Sequence, residues 1–458
     1  MGRLRTTGGS ALLAAALLVP AGASAQEAPP PPLALFNVTV LDGAGGPPLP
    51  GVNVLVEDGR VRAVFRTGEI MLSADVEAHD LAGRFVIPGL INTHVHFMQL
   101  GASGAGPRVF DREAVLAELE RSLFSGVTAV REMAGNAVAT ARLVREARAE
   151  SRPIPDVHFS VVAAGPSFFA GDPRVAASPA PLGPAGEGGP DSLPPGAVTA
   201  GTDLPALVTR AREIGAAGIK IYSDLPAERV EALTAEAHRQ GLKAWAHATV
   251  FPTRPGAVVG AGVDGISHVC GLPWEVLPEV PGRFSERPRF DPAAVDPEDP
   301  RFGALFQEMA RRGTVLDATL HLYTRPATQE RGCVPELMIP LARAAHRAGV
   351  TLSTGTDFFN DPAEPFPSLH LEIEHLVESG VLTAREAVTA ATLNGARALG
   401  LAETHGTVER GKVADMVILE ADPTTDIGAL RRVVGVVKGG RLHWREAWEA
   451  ARPGGRDP

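Results

Sequence analysis

The stretch FVIPGLINTHVHF, residues 85–97, starts as an apolar run, passes a Pro-Gly pair and ends with two histidines one residue apart, His94 and His96. Side chains at i and i+2 of a strand share a face. A strand through this stretch therefore turns both imidazoles the same way, an arrangement that suits a metal ion. What surrounds the stretch decides whether it opens a larger repeating fold.

Downstream, the chain alternates between two periodicities. DREAVLAELERSLFSG has helical spacing and precedes the strand-like VTAVREM; AVATARLVREARAE precedes PDVHFSVVAAG; DLPALVTRAREIGAAG precedes IKIYSD. PAERVEALTAEAHRQG precedes LKAWAHA, a shorter helix precedes DGISHVCG, DPRFGALFQEMARRG precedes TVLDATLHLY, and ELMIPLARAAHRAG precedes VTLSTGTDF. Short buried strands, helices between them and glycine at several helix ends are the marks of repeated βα units. With the opening stretch there are about eight strands, which predicts an α/β fold, a (β/α)8 TIM-like barrel of ~250 residues or more.

The two ends have a different texture. LALFNVTVLDG, GVNVLVEDGRVRAVF and DLAGRFVIPGL read as short strands separated by turn residues, as do GTVERGKVADMVILEADP and VVGVVKGGRLHW near the other end. They are expected to pair into one small β domain. The expected organisation is a signal peptide over 1–25, a Pro-rich linker over 26–32, a first β part over 33–84, the barrel over 85–400, a second β part over 401–447 and a tail over 448–458. The signal rests on Arg3 and Arg5 before ALLAAALLVP and on ASA at 23–25, with cleavage before Gln26. The apolar run is short for a membrane span. No cysteine follows it to carry a lipid anchor. The expected location is periplasmic or secreted, with no membrane association after cleavage.

Composition narrows the function. The 458 residues include 43 basic and 53 acidic ones, a net charge of −10, with no long Lys/Arg run, which argues against a nucleic-acid partner. Two cysteines, Cys270 and Cys333, cannot build a Cys-rich zinc site. One disulfide between them, across the barrel mouth, stays open in an oxidising compartment.

Barrel enzymes draw their chemistry from the C-terminal ends of strands. The first strand ends at His94 and His96, the fourth contains Lys220, the fifth ends at His247, the sixth at His268 and the eighth at Asp357. Singly, each has an ordinary explanation: a snorkelling lysine, a hydrogen-bonded core histidine, a helix-capping aspartate. Together they converge on one barrel mouth. Two Pro-rich segments, 166–201 and 271–300, break the rhythm after strands and fall on the same face. They are either surface insertions or, as expected here for at least one, a lid or pocket wall.

The set VIPGLINTHVHF, Lys220, His247, His268 and Asp357, with LTAREAVTAATLNGARALGL and GTVERGKVADMVILEADP near the end, resembles the amidohydrolase superfamily, in particular its imidazolonepropionase-like and Xaa-Pro dipeptidase-like members. The resemblance implies a metal-dependent hydrolase barrel with a composite β-sandwich domain. It implies that His94, His96 and Asp357 hold one divalent ion and that His247 and His268 hold a second. Lys220, carboxylated by CO2, would bridge the two. Imidazole and carboxylate ligands suit Zn2+, with Mn2+ or Co2+ as alternatives. The implied reaction is attack of an activated water on a C–N bond in an amide, peptide or cyclic amide, with Asp357 moving the proton to the leaving nitrogen.

This chain departs from the family pattern in three places. Asn92 stands where Asp often precedes the H-x-H unit, Arg131-Glu132 stands where Arg-Asp is common, and IYSDL after Lys220 lacks a Gly-rich run. The last leaves dipeptidase specificity open. The substrate is expected to be a small molecule or short peptide. Tyr222, His321, Tyr323 and Arg325 lie near strand ends and are candidates to bind it; the first and third are the only tyrosines in the chain. Phe358 and Phe359 are candidates for an apolar wall. A lactone, ester or phosphoester remains an alternative bond, and a mononuclear site an alternative centre. A periplasmic binding protein without turnover is disfavoured by the complete ligand set. Homo-oligomerisation stays open.

Overall fold

A computed structural model describes residues 30–99, 111–171, 197–357 and 364–451. The expected signal peptide, the linker up to residue 29, most of segment 166–201, and Phe358 and Phe359 lie outside the described residues. Among the described residues, sixteen strands run in chain order. The first five are β1 (Leu33–Val40), β2 (Leu49–Glu57), β3 (Arg60–Phe65), β4 (Glu77–Asp80) and β5 (Phe85–Pro88). Eight follow in the middle: β6 (Leu90–Val95), β7 (Val127–Glu132), β8 (Asp156–Ala163), β9 (Gly218–Ile221), β10 (Lys243–His247), β11 (Gly265–Ser267), β12 (Val315–Asp317) and β13 (Leu352–Ser353). The last three are β14 (Met416–Leu419), β15 (Val433–Lys438) and β16 (Arg441–Trp444).

Strands β6 to β13 pair in sequence order as one eight-stranded parallel sheet. Thr93 N–H donates to Thr354 O at 2.9 Å, bringing the first barrel strand against the segment that follows the last one. This is the barrel predicted from the βα repetition. Its helices carry the expected end signals. Asp111 caps Arg112–Phe124 through Ala114 N–H. Gly313 takes a left-handed conformation (φ +73°) after Pro300–Arg312, where a side chain would cost energy.

The stretch 85–97 is not one strand. It divides at Gly89 into β5 and β6, which belong to different sheets. β5 pairs antiparallel with β14, Ile87 opposite Val417 and Val86 opposite Ile418, and parallel with β1. The composite β domain is thus one sheet in the order β16-β15-β14-β5-β1-β2-β3, with β4 also on β1. Alternation along its central strands explains how it joins the barrel. Val86, Met416 and Ile418 enter the apolar core of the small domain, while Ile87, Val417 and Leu419 face the other way and enter the barrel core. A Cβ at Gly89 would lie 2.0 Å from Thr128 Oγ1 of β7, so only glycine lets the chain step from one sheet to the other here.

One further expectation is settled here. Cys270 and Cys333 form a disulfide, joining the loops that follow β11 and β12. The segment from residue 448 includes the end of a helix, Arg445–Ala451, and Trp448 stacks on Phe124 at 4.7 Å. No helix among the described residues is long and apolar enough to cross a membrane. Gly89→Ala is expected to destabilise the chain by about 1–3 kcal/mol through overpacking, read as a lower urea midpoint with an unchanged slope.

Candidate active site

The site begins where the barrel closes. β6 is buried along its whole length, and His94 on it and His96 just past its end share a common space, with their Nε2 atoms 3.3 Å apart. From the far side, Asp357 brings Oδ1 within 3.1 Å of both nitrogens. His268 Nε2 reaches the same oxygen at 3.5 Å. Nitrogens of three imidazoles thus surround one carboxylate oxygen. The His94, His268 and Asp357 ligand atoms all lie within 4.8 Å of one another.

Unusual backbone makes this convergence possible. Asp357 and His268 both have positive φ, +61° and +75°. Such strain in non-glycine residues concentrates at functional sites. Thr356 and Asp357 both donate their backbone N–H to His94 O, at 3.1 and 3.0 Å. A Cβ on Gly355 would fall 2.2 Å from Asp317 Oδ1 and 2.8 Å from His94 Cβ, so only a glycine allows this approach. Asn92, at the position of one family departure, accepts from His94 N–H and donates Nδ2–H to Thr356 Oγ1 at 3.1 Å. The amide holds the two sides of the closure together.

The other expected ligands flank this cluster. His247 lies beside His268, ring centroids 5.1 Å apart. Lys220 is fully buried and donates from Nζ to Ser267 Oγ at 3.1 Å. Burial, aided by the positive charge of Arg131, pulls its amine down to about 7. Burial pushes His268 down to about 3 and His247 well below the usual range. At His96 burial also opposes charge, but the Asp357 and Glu132 carboxylates outweigh it and hold the ring at about 9. Asp357 stays well below the usual carboxylate range: burial opposes its charge, but its imidazole neighbours His268, His94 and His96 outweigh it.

Sequence reading passed over Asp317, although it closes β12 and obeys the strand-end rule that selected the others. Its Oδ2 lies 2.6 Å from His94 Nδ1. A neutral His94 therefore donates from Nδ1 and presents the Nε2 lone pair to Asp357 and His96. Lone pairs facing an ionised carboxylate at this range repel unless a cation or proton stands among them. The donor set fits a divalent ion, and the Asp317–His94 pair is the carboxylate–histidine support that such ligands use. Behind Asp317 lies Arg131, 3.8 Å away and buried. Its guanidinium stacks 4.6 Å from the Trp245 ring and donates to Thr93 O and Ala398 O. Its neighbour Glu132 lies 3.5 Å from His96 Nδ1.

The four candidate substrate residues separate. Tyr222 packs edge-on against His247 at 4.0 Å and so borders the site. Tyr323 connects to His268 through Thr319. It is buried, and its hydroxyl lies 3.0 Å from Thr319 Oγ1 and accepts from Cys270 N–H at 3.3 Å. Thr319 Oγ1 in turn is 3.1 Å from His268 Nδ1, so Tyr323 braces His268 through Thr319. His321 lies on the turn Leu320–Thr324 and Arg325 just beyond it. The backbone N–H groups of Leu320 and His321 donate to the buried Glu372 carboxylate at 3.0 and 2.6 Å.

Comparison with known proteins extends this geometry to a family. Residues 85–443 match the model of the Amidohydrolase family. An imidazolonepropionase of Flavobacterium johnsoniae is 39% identical over 88 residues, 19% of this chain and 21% of that protein. The first curated relatives are thus aligned over only about a fifth of their length. An imidazolonepropionase of Chromobacterium violaceum is 26% identical over 426 residues, 83% of this chain and 89% of that protein. The solved structure of a Xaa-Pro dipeptidase with bound methionine shares the fold, with a TM-score of 0.68 at 21% identity over 90% of this chain and 100% of that one. Because the family match runs from β5, across the barrel and its histidines, into the last strand of the composite sheet, the chain belongs to the amidohydrolase family.

Proposed function

We propose that this chain is a metal-dependent hydrolase of carbon–nitrogen bonds, acting on an amide, peptide or cyclic amide in a small molecule or short peptide. The observation that carries the reading is the partly buried Asp357 carboxylate, whose Oδ1 is ringed by Nε2 of His94, His96 and His268. The names of the relatives, imidazolonepropionase and Xaa-Pro dipeptidase, support C–N cleavage as the reaction class. His94, His96 and Asp357 would hold one ion and His247 and His268 a second, with carboxylated Lys220 bridging them. Zn2+ suits this donor set best. When bound, the ions supply the Lewis acidity that activates water and polarises the scissile carbonyl.

The chain's own residues account for the remaining chemistry. Asp357 is ionised and can accept a proton at a carboxylate oxygen, then return it to the leaving nitrogen. An amide nitrogen leaves poorly without that proton. Asp317 holds His94 in the tautomer that exposes Nε2, and Thr319 stands beside His268 Nδ1. Lys220 is buried beside Ser267, where a bare ammonium would oppose a nearby dication and a carbamate would neutralise it. The Cys270–Cys333 disulfide suits an oxidising compartment. It supports the periplasmic or secreted location expected from the leader pattern.

Three measurements test this reading. Elemental mass spectrometry of the chain purified without chelators is expected to find two divalent ions per polypeptide, halved by Lys220→Ala. One ion, unchanged in that variant, would replace the bridged centre with a mononuclear one. Asp357→Asn is expected to keep the native circular dichroism and lose turnover of amide substrates by ~10²–10⁴-fold; near-native turnover would remove Asp357 from proton transfer. Asp317→Asn is expected to weaken metal affinity by about 10–100-fold in chelator competition.

A further inference from the structure

Segments 166–201 and 271–300 interrupt the βα rhythm, and their described parts meet on one residue. Asp224, just past β9, takes a left-handed backbone with φ +59°. Its Oδ2 accepts from Ser167 Oγ at 2.6 Å and its Oδ1 from the Phe284 backbone N–H at 2.7 Å. Gly165 lies so close that a Cβ there would come within 2.1 Å of Asp224 O. One carboxylate thus holds the start of one insertion and the middle of the other.

The insertions bring aromatic rings to this point. Phe168 packs on Tyr222 at 4.5 Å, and Phe284 lies 5.8 Å from the same ring. Phe284 also stacks on His247 at 5.9 Å, while Tyr222 meets His247 at 4.0 Å. The Arg287 guanidinium covers Phe284 at 3.5 Å. Ala164, Phe168 and Tyr222, with Phe169 and Phe284 packed against them, form an apolar cluster apart from the barrel core. Packing alone would satisfy these rings anywhere on the barrel face. Here the wall they build has an imidazole of the active site as its edge.

We propose that Tyr222, Phe168 and Phe284 form an aromatic subsite beside His247, that it takes an aromatic or bulky apolar group of the substrate, and that Asp224 is the positioning residue that assembles it. The choice of substrate rests on the hydrolase reading above; the subsite itself rests on the ring geometry. The three rings carry no charge and the Arg287 guanidinium over Phe284 opposes a cation, so a neutral apolar group is favoured over a cationic one of equal size. The two insertions are then specificity elements, and a single carboxylate sets their register.

The test compares benzohydroxamate with acetohydroxamate, two ligands with the same metal-seeking head, by calorimetry on the metal-loaded chain. Burial of the phenyl ring is expected to make the first bind about tenfold more tightly. That ratio is expected to fall to about twofold in Phe284→Ala. It should fall similarly in Asp224→Asn, which keeps every ring but puts an amide N–H against a donor. Equal affinities in the native chain, or a ratio unchanged in both variants, would overturn the subsite. Saturation-transfer NMR with N-benzylacetamide on the metal-stripped chain reads the rings without the ions. Phenyl saturation that is lost in Phe284→Ala supports the subsite even where neither hydroxamate binds, a pairing that would overturn the metal centre instead. Absence of phenyl saturation would overturn the subsite.

Discussion

The carbonyl of His94 is where the barrel and the active site become one structure. It accepts the backbone N–H of both Thr356 and Asp357. The bonds that draw the end of the barrel onto its first strand therefore also deliver the Asp357 carboxylate to the histidines. Gly355 is required because the chain passes between Asp317 and His94 without room for a side chain. Asn92 adds side-chain bonds across the same seam. A barrel that closed in another register would separate Asp357 from His94 and His96, so closure and site assembly are a single constraint.

Below this seam lies a line of buried polar groups, each stable only because of the next. Arg131 is held at about 10 by burial and faces Asp317. Asp317 takes the Nδ1 side of His94, which frees Nε2 for the cluster. A buried charge without a partner is strongly destabilising. Arg131 therefore also stacks on Trp245 and donates to Ala398 O, the carbonyl that Trp245 Nε1 also uses, at 2.9 Å. Ala398 lies at the end of helix Leu393–Leu399, where the exposed carbonyls carry partial negative charge. The helix that follows the barrel thus supports the guanidinium that supports the aspartate behind His94.

On the opposite side the composite sheet shares the barrel's core. β5 and β14 alternate so that one set of side chains fills the small domain and the other set packs on the barrel. The link from β5 to β6 is a single glycine pressed against Thr128. Lys438 of β15 extends this joint, meeting Asp156 at the start of β8 and Asp415 beside β14 at 2.7 and 3.0 Å. The strand that carries His94 therefore enters the barrel from a fixed point.

Periodicity, the H-x-H pair and the placement of Lys220, His247, His268 and Asp357 after predicted strands made the barrel and its candidate ligand set legible before any coordinates, because strand alternation and βα repetition are local properties of the chain. Asp317 obeyed the same rule and was missed, since nothing local distinguishes a carboxylate that supports a histidine from one that caps a turn. Tyr323 looked equally suited to bind substrate. Only packing shows its hydroxyl taken up by Thr319 and Cys270. The division of residues 85–97 between two sheets was hidden for a related reason: both halves are apolar and extended, and β5 takes its antiparallel partner β14 from the far end of the chain while β6 pairs with the nearby β7. The amino-acid sequence by itself determined the repeat, the strand ends and the chemical types gathered there. Tertiary structure alone decided which of them meet, because hydrogen-bond partners, the tautomer of His94 and the pinning of two insertions by Asp224 arise from contacts between segments far apart in the chain.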